Sequence, residues 1–64
     1  MASDNSLESL RSDLASACER LDDLIMDELS AAIERGETTR PELERRLTRA
    51  RNAIERAIGL LREE

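Results

Sequence analysis

The apolar residues in the first half of the chain recur at alternating steps of three and four. The series consists of Leu7, Leu10, Leu14, Ala17, Leu21 and Leu24. This is the spacing of a coiled-coil seam. Glu28 stands at the next expected position, so the stripe drifts towards a 3.6-residue period and the helix changes its contact face. Together with a capping pair at Asn5 and Glu8, the pattern predicts helix one over about residues 6–35.

A glycine marks the break between two helical patterns. Gly36 accepts the left-handed backbone just past a helix end, and Arg35 suits the negative end of the helix dipole. Thr39 and Glu42 have the spacing of a capping box, with Pro41 in the first turn, where no amide donor is needed. We therefore predict a turn over residues 36–39.

The second pattern covers about residues 40–62 and is wider than a narrow stripe. Its main series is Leu43, Leu47, Ala50, Ile54, Ala57 and Leu61. A short turn forces two helices to lie antiparallel. We predict one all-α domain over residues 1–64, an antiparallel two-helix hairpin of coiled-coil type. Pairing outward from the turn sets Leu61 opposite Leu14 and leaves Leu7 and Leu10 overhanging.

The hairpin has little with which to build a core of its own. The chain has 64 residues, no Phe, Tyr or Trp, no His and a single Cys. Chains this short usually need a disulfide, a metal or an oligomeric partner for stability. We expect the core to be completed by a partner protein or by dimerisation into a four-helix bundle.

The charge is acidic overall and unevenly distributed. The net charge is −5, and every cation is arginine. Residues 1–36 carry nine acids and three arginines, whereas residues 37–64 carry six acids and seven arginines. An acidic chain repels phosphate backbones, so nucleic acid is not an expected partner. The start has no signal-peptide pattern and no apolar run could span a membrane, which predicts a cytoplasmic protein.

Neither the acidic nor the thiol side chains suggest catalysis. Asp22, Asp23, Asp27 and Glu28 form an acidic cluster, but helical di-metal sites add histidine, so a solvated face is the better interpretation. Cys18 has no base to activate it, and we expect it to act as a small buried hydrophobe. The sequence predicts no enzyme, no cofactor and no metal site. Glu28 either lies at a loosened, wet end of the seam or is paired with an arginine from a neighbouring helix.

Three segments resemble small helical co-chaperones of type III secretion, the YscE/PscE family. They are the opening Leu7-Glu8-Ser9-Leu10, the Leu29 to Gly36 ending of helix one, and the closing Ala53 to Leu61 segment. The aromatic residue often present early in the family's second helix is replaced here by Leu43.

The resemblance implies that the chain, with a tetratricopeptide-like (TPR-like) chaperone, keeps the needle subunit soluble before export. It assigns partner contact to the outward apolar face of helix one, at Leu7, Leu10, Leu14, Leu21 and Ile25. The hairpin core would then consist of Leu24, Leu43, Leu47, Ala50, Ile54, Ala57 and Leu61. The alternative is a self-associating hairpin that forms a homodimeric four-helix bundle with a structural or regulatory role.

Overall fold

The computed structural model describes residues 4–62 of the chain and contains two helices in this range. Helix α1 runs over Asp4–Glu34 and helix α2 over Glu42–Arg62. The two helices pack side by side and antiparallel, in a rod that measures 52 × 15 × 12 Å between its Cα extremes. The predicted all-α helical hairpin is therefore confirmed.

The end of α1 is a Schellman motif built on Gly36. The backbone φ angle of Gly36 is +77°, in the left-handed region. The amide of Glu37 donates to the carbonyl of Ala32 at 3.0 Å, and the amide of Gly36 donates to the carbonyl of Ile33 at 3.0 Å. These two bonds satisfy carbonyls that the helix end leaves without partners. Gly36 ends α1 as the sequence predicts.

Both helix starts differ from the predicted positions. Helix α1 already includes Asn5, so the expected cap at this residue is wrong. Helix α2 begins at Glu42, and its first backbone bond runs from the amide of Arg45 to the carbonyl of Pro41 at 3.2 Å. The Glu42 carboxylate accepts a hydrogen bond from Arg45 at 2.8 Å instead of reaching back towards Thr39. The connection between the helices thus covers seven residues, 35–41, rather than four.

Two cross-helix contacts fix the register of the hairpin. The Arg11 guanidinium donates to the carbonyl of Leu61 at 3.0 Å, and the Arg51 guanidinium donates to the carboxylate of Asp22 at 3.1 Å. Leu61 therefore lies level with Arg11, three residues away from its expected partner Leu14. The longer connection explains the shift, because it runs back beside the last turn of α1 before α2 begins.

The helices meet along positions spaced alternately by three and four residues. In heptad notation, these inner positions are a and d. The a positions are Arg11, Cys18, Ile25 and Ala32 on α1, and Glu44, Arg51 and Ile58 on α2. The d positions are Leu14, Leu21 and Glu28 on α1, and Leu47, Ile54 and Leu61 on α2. Every one of these side chains is buried or half-buried.

The core along this seam is thin. Among the described residues the buried apolar side chains are Cys18, Ala32 and Ile58, and no large side chain is fully buried. A compact chain of this length has a radius of gyration of about 11 Å, whereas the hairpin has 15.3 Å. Two helices alone leave most of the apolar surface partly open to water.

Replacing Gly36 by valine should lower the free energy of unfolding by about 1–2 kcal/mol, because a β-branched residue resists the left-handed backbone. In a chain of this size the loss corresponds to a fall of about 5 °C or more in the melting temperature. Thermal unfolding followed by far-UV circular dichroism measures the change. Gly36→Asn is the matched control, since asparagine tolerates this conformation and should cost less. Equal losses in both variants would contradict the role given to the φ angle.

Candidate protein-binding face

A third line of apolar residues runs along each helix, one position before each a residue. In heptad notation this is position g. Its members are Leu10, Ala17, Leu24 and Ala31 on α1, and Leu43, Ala50 and Ala57 on α2. All seven are apolar. Side chains seven residues apart lie two turns apart on nearly the same side of a helix, so each set forms a continuous stripe.

The two stripes lie on the same side of the hairpin. Antiparallel helices are related by an approximate two-fold axis perpendicular to them, and this axis brings equivalent heptad positions to the same side. The stripes therefore form one surface, which we call the open face. Its three leucines are well exposed: Leu10 at 47%, Leu24 at 51% and Leu43 at 49%. The hairpin thus leaves the leucines of the open face uncovered, while Ala17, Ala31 and Ala57 between them are half-buried.

The opposite side of the hairpin, formed by the e positions, is mostly polar. Asp22 pairs there with Arg51, which also lies 3.6 Å from the Glu55 carboxylate. These charges are in contact with water and with each other. One broad side of the hairpin therefore carries a line of apolar residues and the other carries mostly polar ones, while the exposed apolar residues Met26, Ile33 and Leu60 lie at positions b and c.

The heptad pattern is that of a bundle helix rather than of a two-stranded coil. A two-stranded coiled coil needs apolar residues at two positions in seven, whereas a helix in a four-helix bundle uses about three, at a, d and e or g. Here the g positions are uniformly apolar, while the a positions include Arg11, Glu44 and Arg51. The alanines of the open face allow another helix to approach closely. The surface fits two further helices.

The turn end of the seam is held by a buried carboxylate. Glu44 is only 2% exposed. It accepts two hydrogen bonds from the Arg40 guanidinium, at 2.6 and 2.7 Å, and one from the Thr48 hydroxyl at 2.7 Å. The bonds from Arg40 and then from Thr48 hold the pKa of the Glu44 carboxyl below its ordinary value, against the opposing effect of burial. This cluster satisfies the buried charge.

Glu28, the other acidic residue of the seam, is less enclosed. Its side chain is 25% exposed and lies 3.8 Å from the Arg35 guanidinium. Glu28 thus has an arginine beside it, but one from the connection after its own helix rather than from a neighbouring helix. Both acidic seam residues occur in the half of the hairpin nearest the turn.

Cys18 lies in the middle of the seam as a buried small side chain, in agreement with the sequence interpretation. It is 5% exposed, and its sulfur lies 3.7 Å from the Glu55 carboxylate and 3.8 Å from the carbonyl of Arg51. Burial, and next the negative charge of Glu55, raise the pKa of the Cys18 thiol above its ordinary value. Since the thiolate is the reactive form, this site keeps the sulfur unreactive.

Some residues predicted for the hairpin core lie on the surface, and some predicted for partner contact lie in the seam. Leu7 is 37% exposed and, like Leu10, is available for contact, as expected. Three residues predicted for the hairpin core, Leu24, Leu43 and Ala50, are exposed and belong to the open face, so that prediction is wrong for them. The remaining predicted core residues are half-buried: Leu47, Ile54, Ala57 and Leu61.

Three residues predicted to contact a partner lie in the seam instead. Leu14, Leu21 and Ile25 are half-buried against α2. Leu14 and Leu21 occupy d positions next to the open face, whereas Ile25 is an a residue that faces α2. Conversely, Ala17 and Ala31 contribute to the open face without having been predicted for it. Their regular spacing at seven-residue intervals is the signal that identifies them.

Other kinds of site find little support in the described part of the chain. Residues 4–62 contain no group of three or more His, Cys, Asp or Glu side chains placed to hold a metal ion. Neither α1 nor α2 has an apolar stretch sufficient to cross a membrane. An open depression at the start of α2 is lined by charged and polar residues, of which Arg40 and Arg45 already pair with Glu44 and Glu42.

No family model, curated protein or solved structure matches the chain.

Replacing Glu44 by glutamine should lower the stability of the hairpin at neutral pH, because two charge-assisted bonds from Arg40 are weakened. The pKa of Glu44 is lowered in the folded state, so its stabilisation is complete above the ordinary glutamate pKa and is lost as the pH falls through the folded value. The difference between wild type and variant should therefore stay constant from neutral pH down to the ordinary glutamate pKa and shrink as the pH falls below it. Urea midpoints measured by circular dichroism at several pH values give this difference.

Glu42→Gln is the matched control for this experiment. Glu42 lies two residues away and also pairs with an arginine, but its side chain is 65% exposed. Exposed ion pairs contribute little to stability, so this variant should stay close to wild type throughout. A pH-independent loss in Glu44→Gln, or an equal loss in both variants, would count against the buried carboxylate as a stabilising group.

Proposed function

We propose that this chain is a non-catalytic protein-binding module whose open face docks onto helices of another protein. The observation that carries the proposal is the unbroken apolar g line on both helices, which lies on one side of the hairpin and whose leucines are about half exposed. Contiguous apolar surface of this kind on a small protein marks an interaction site. Grooves and faces that receive amphipathic helices use this arrangement of anchors at helical spacing.

The resemblance to type III secretion co-chaperones gives the proposal a specific form. In that form, the hairpin acts in the cytoplasm with a TPR-like chaperone to keep the needle subunit monomeric before export. The physical requirement is a cover for the apolar helix of a subunit that otherwise polymerises. An amphipathic hairpin with one apolar side can supply half of such a cover, and the helical repeats of a chaperone can supply the other half.

The contacts in this complex would be made first by Leu10, Leu24 and Leu43, the large exposed residues of the open face. Leu14 and Leu21 lie along its inner edge and become accessible to a helix seated on the face. Leu7 extends the same apolar surface beyond the end of α2. Ile25 faces the partner helix of the hairpin, and its contribution to binding would be indirect, through the position of α1.

Self-association is a second candidate, because a second copy would cover the apolar open face with its own and can set each α1 against the oppositely charged α2 of the other copy. Helix α1 contains nine acids and two arginines, whereas α2 contains three acids and six arginines. A homodimeric bundle would use the same open face and would have a structural or regulatory role. The two functions are compatible if the homodimer is the free state of a module that later receives a different partner.

Replacing Leu24 by glutamate should abolish partner binding and leave the helical content nearly unchanged, because Leu24 is 51% exposed in the hairpin. Met26→Glu is the matched control: Met26 is also an exposed apolar residue of α1, at 61%, but it lies away from the open face. Reconstitution with a purified TPR-like chaperone and needle subunit from the same organism measures binding. Size-exclusion chromatography then reports whether the needle subunit stays monomeric.

The expected outcome is a ternary complex with wild type and with Met26→Glu, and none with Leu24→Glu. If both variants form the complex equally well, the open face is not the docking surface. If wild type binds neither protein, the co-chaperone form of the proposal is wrong. Far-UV circular dichroism of each variant verifies that a loss of binding does not come from unfolding.

A further inference from the structure

We infer that, without another partner, the open face is covered by a second copy of this chain, with α1 of each copy against α2 of the other. The two-fold axis of this dimer runs parallel to the helices, and Asp27 of each copy meets Arg46 of the other. The inference rests on the proposed function in one respect, that the open face is the docking surface. To the proposed function it adds the molecule that covers the open face, the symmetry of the dimer and the two contacts between Asp27 and Arg46.

The hairpin exposes more area than a compact chain of its mass, by enough to supply a dimer interface. A compact monomer of this mass exposes about 4,100 Å², whereas the chain, at 7.2 kDa, exposes 5168 Å². The excess of about 1,000 Å² is comparable with the roughly 800 Å² that each partner buries in a standard interface. A second hairpin supplies two helices, the number that a four-helix core lacks.

The charges of the helices select one of the two symmetric ways to stack the hairpins. Helix α1 carries a net charge of −7 and α2 a net charge of +3, from the acids and arginines within each helix. If the two-fold axis lies across the helices, each helix faces its own copy, acid against acid and arginine against arginine. If the axis is parallel to the helices, α1 faces the oppositely charged α2 of the second copy. Electrostatic complementarity therefore favours the parallel axis.

The parallel axis also fixes which residues meet, because rotation about it leaves every residue at its own height along the helices. Asp22 lies level with Arg51 in the hairpin. Asp27 lies five residues further along α1, and Arg46 lies five residues back along α2, so these two are also level. Both occupy heptad position c, at the outer border of the open face on their own helix. Within one hairpin, Asp27 and Arg46 lie on opposite borders of the open face. In the dimer, Asp27 of each copy meets Arg46 of the other copy.

The half-buried aliphatic residues of the seam would form the centre of this dimer. Position d lies between the a line, which faces the other helix, and the g line, which forms the open face. In a square bundle the d side chains therefore point towards the central axis. One d residue of α1, Glu28, is charged and has Arg35 beside it at 3.8 Å. The apolar d residues are Leu14 and Leu21 on α1, and Leu47, Ile54 and Leu61 on α2. All five are only partly covered in the single hairpin, and a second copy would cover them.

Analytical ultracentrifugation of the full chain tests the oligomeric state directly. A concentration-dependent dimer is expected for wild type and for Met26→Glu, and a monomer for Leu24→Glu. A wild type that stays monomeric up to high protein concentration overturns the inference. A dimer that persists unchanged in Leu24→Glu also overturns it, since the open face would then not be the contact.

Charge reversal tests the symmetry. Asp27→Arg places arginine against arginine at two sites of the dimer, and Arg46→Asp places acid against acid. Each variant alone should raise the dimer dissociation constant by about tenfold. An exposed ion pair contributes only modestly, but the dimer contains two of them. An equal mixture of the two variants should restore dimerisation close to wild type, because both pairs of the mixed dimer become complementary. No recovery in the mixture overturns the parallel-axis arrangement.

The ion pair inside the hairpin provides the matched control. Asp22 and Arg51 contact each other within one chain, at 3.1 Å. A mixture of Asp22→Arg and Arg51→Asp should therefore show no recovery of any loss in hairpin stability, whereas both changes in one chain should recover part of it. The Asp27 and Arg46 pair should instead show recovery on mixing. Recovery on mixing for Asp22 and Arg51 would mean that mixing does not report contacts between copies, and would remove the support for the inference.

The experiments separate this inference from the proposed function. If wild type is monomeric but Leu24→Glu still loses the chaperone and needle subunit, the homodimer is overturned and the docking role of the open face stands. If the mixture of charge variants restores a dimer but no chaperone complex forms, the homodimer stands and the co-chaperone role is overturned.

Discussion

The structure depends on a mismatch between the apolar surface of its helices and the surface that two helices can cover. Positions a, d and g together present a wide apolar band on each helix, and one helical neighbour covers only a and d. The leucines of the g line, such as Leu24 and Leu43, are left about half exposed, while most of its alanines are half-buried. Hydrophobic burial is the main favourable term in folding, so a hairpin in which no large side chain of the described residues is fully buried has little of it.

The distribution of polar residues between the two interfaces indicates which one the sequence favours. The inner a line contains the charged residues Arg11, Glu44 and Arg51, whereas the g line has none. The buried charge at Glu44 is stabilised only by a complete set of donors from Arg40 and Thr48. Arg40 and Thr48 lie four residues before and after Glu44, so the cluster is satisfied at the start of α2 and does not depend on the register between the helices. The most uniformly apolar line is the one on the surface, where association rather than folding would bury it.

Sequence reasoning predicted the hairpin and its glycine turn because each depends on local chemistry. Gly36 has the predicted left-handed backbone. Apolar residues that recur alternately after three and four residues indicate helices. The division between core and surface was predicted incorrectly for Leu24, Leu43 and Ala50 for a physical reason. A search for apolar stripes selects the d and g lines, because charged residues interrupt the a line. Only the register, set by contacts such as that of Arg11 with Leu61, shows that the interrupted line faces inward.

The turn and the open face are coupled through this register. In a dimer whose axis is parallel to the helices, residues meet across copies at the heights that the hairpin gives them. Gly36 ends α1, and the contacts of Arg11 with Leu61 and of Arg51 with Asp22 set those heights. Sliding α2 by one turn would move Arg46 about 5 Å from Asp27, beyond the reach of a direct ion pair. A partner with a different sequence is not held to this symmetry and can bind at another height along the helices. Its binding therefore depends more on the apolar area of the open face than on the turn.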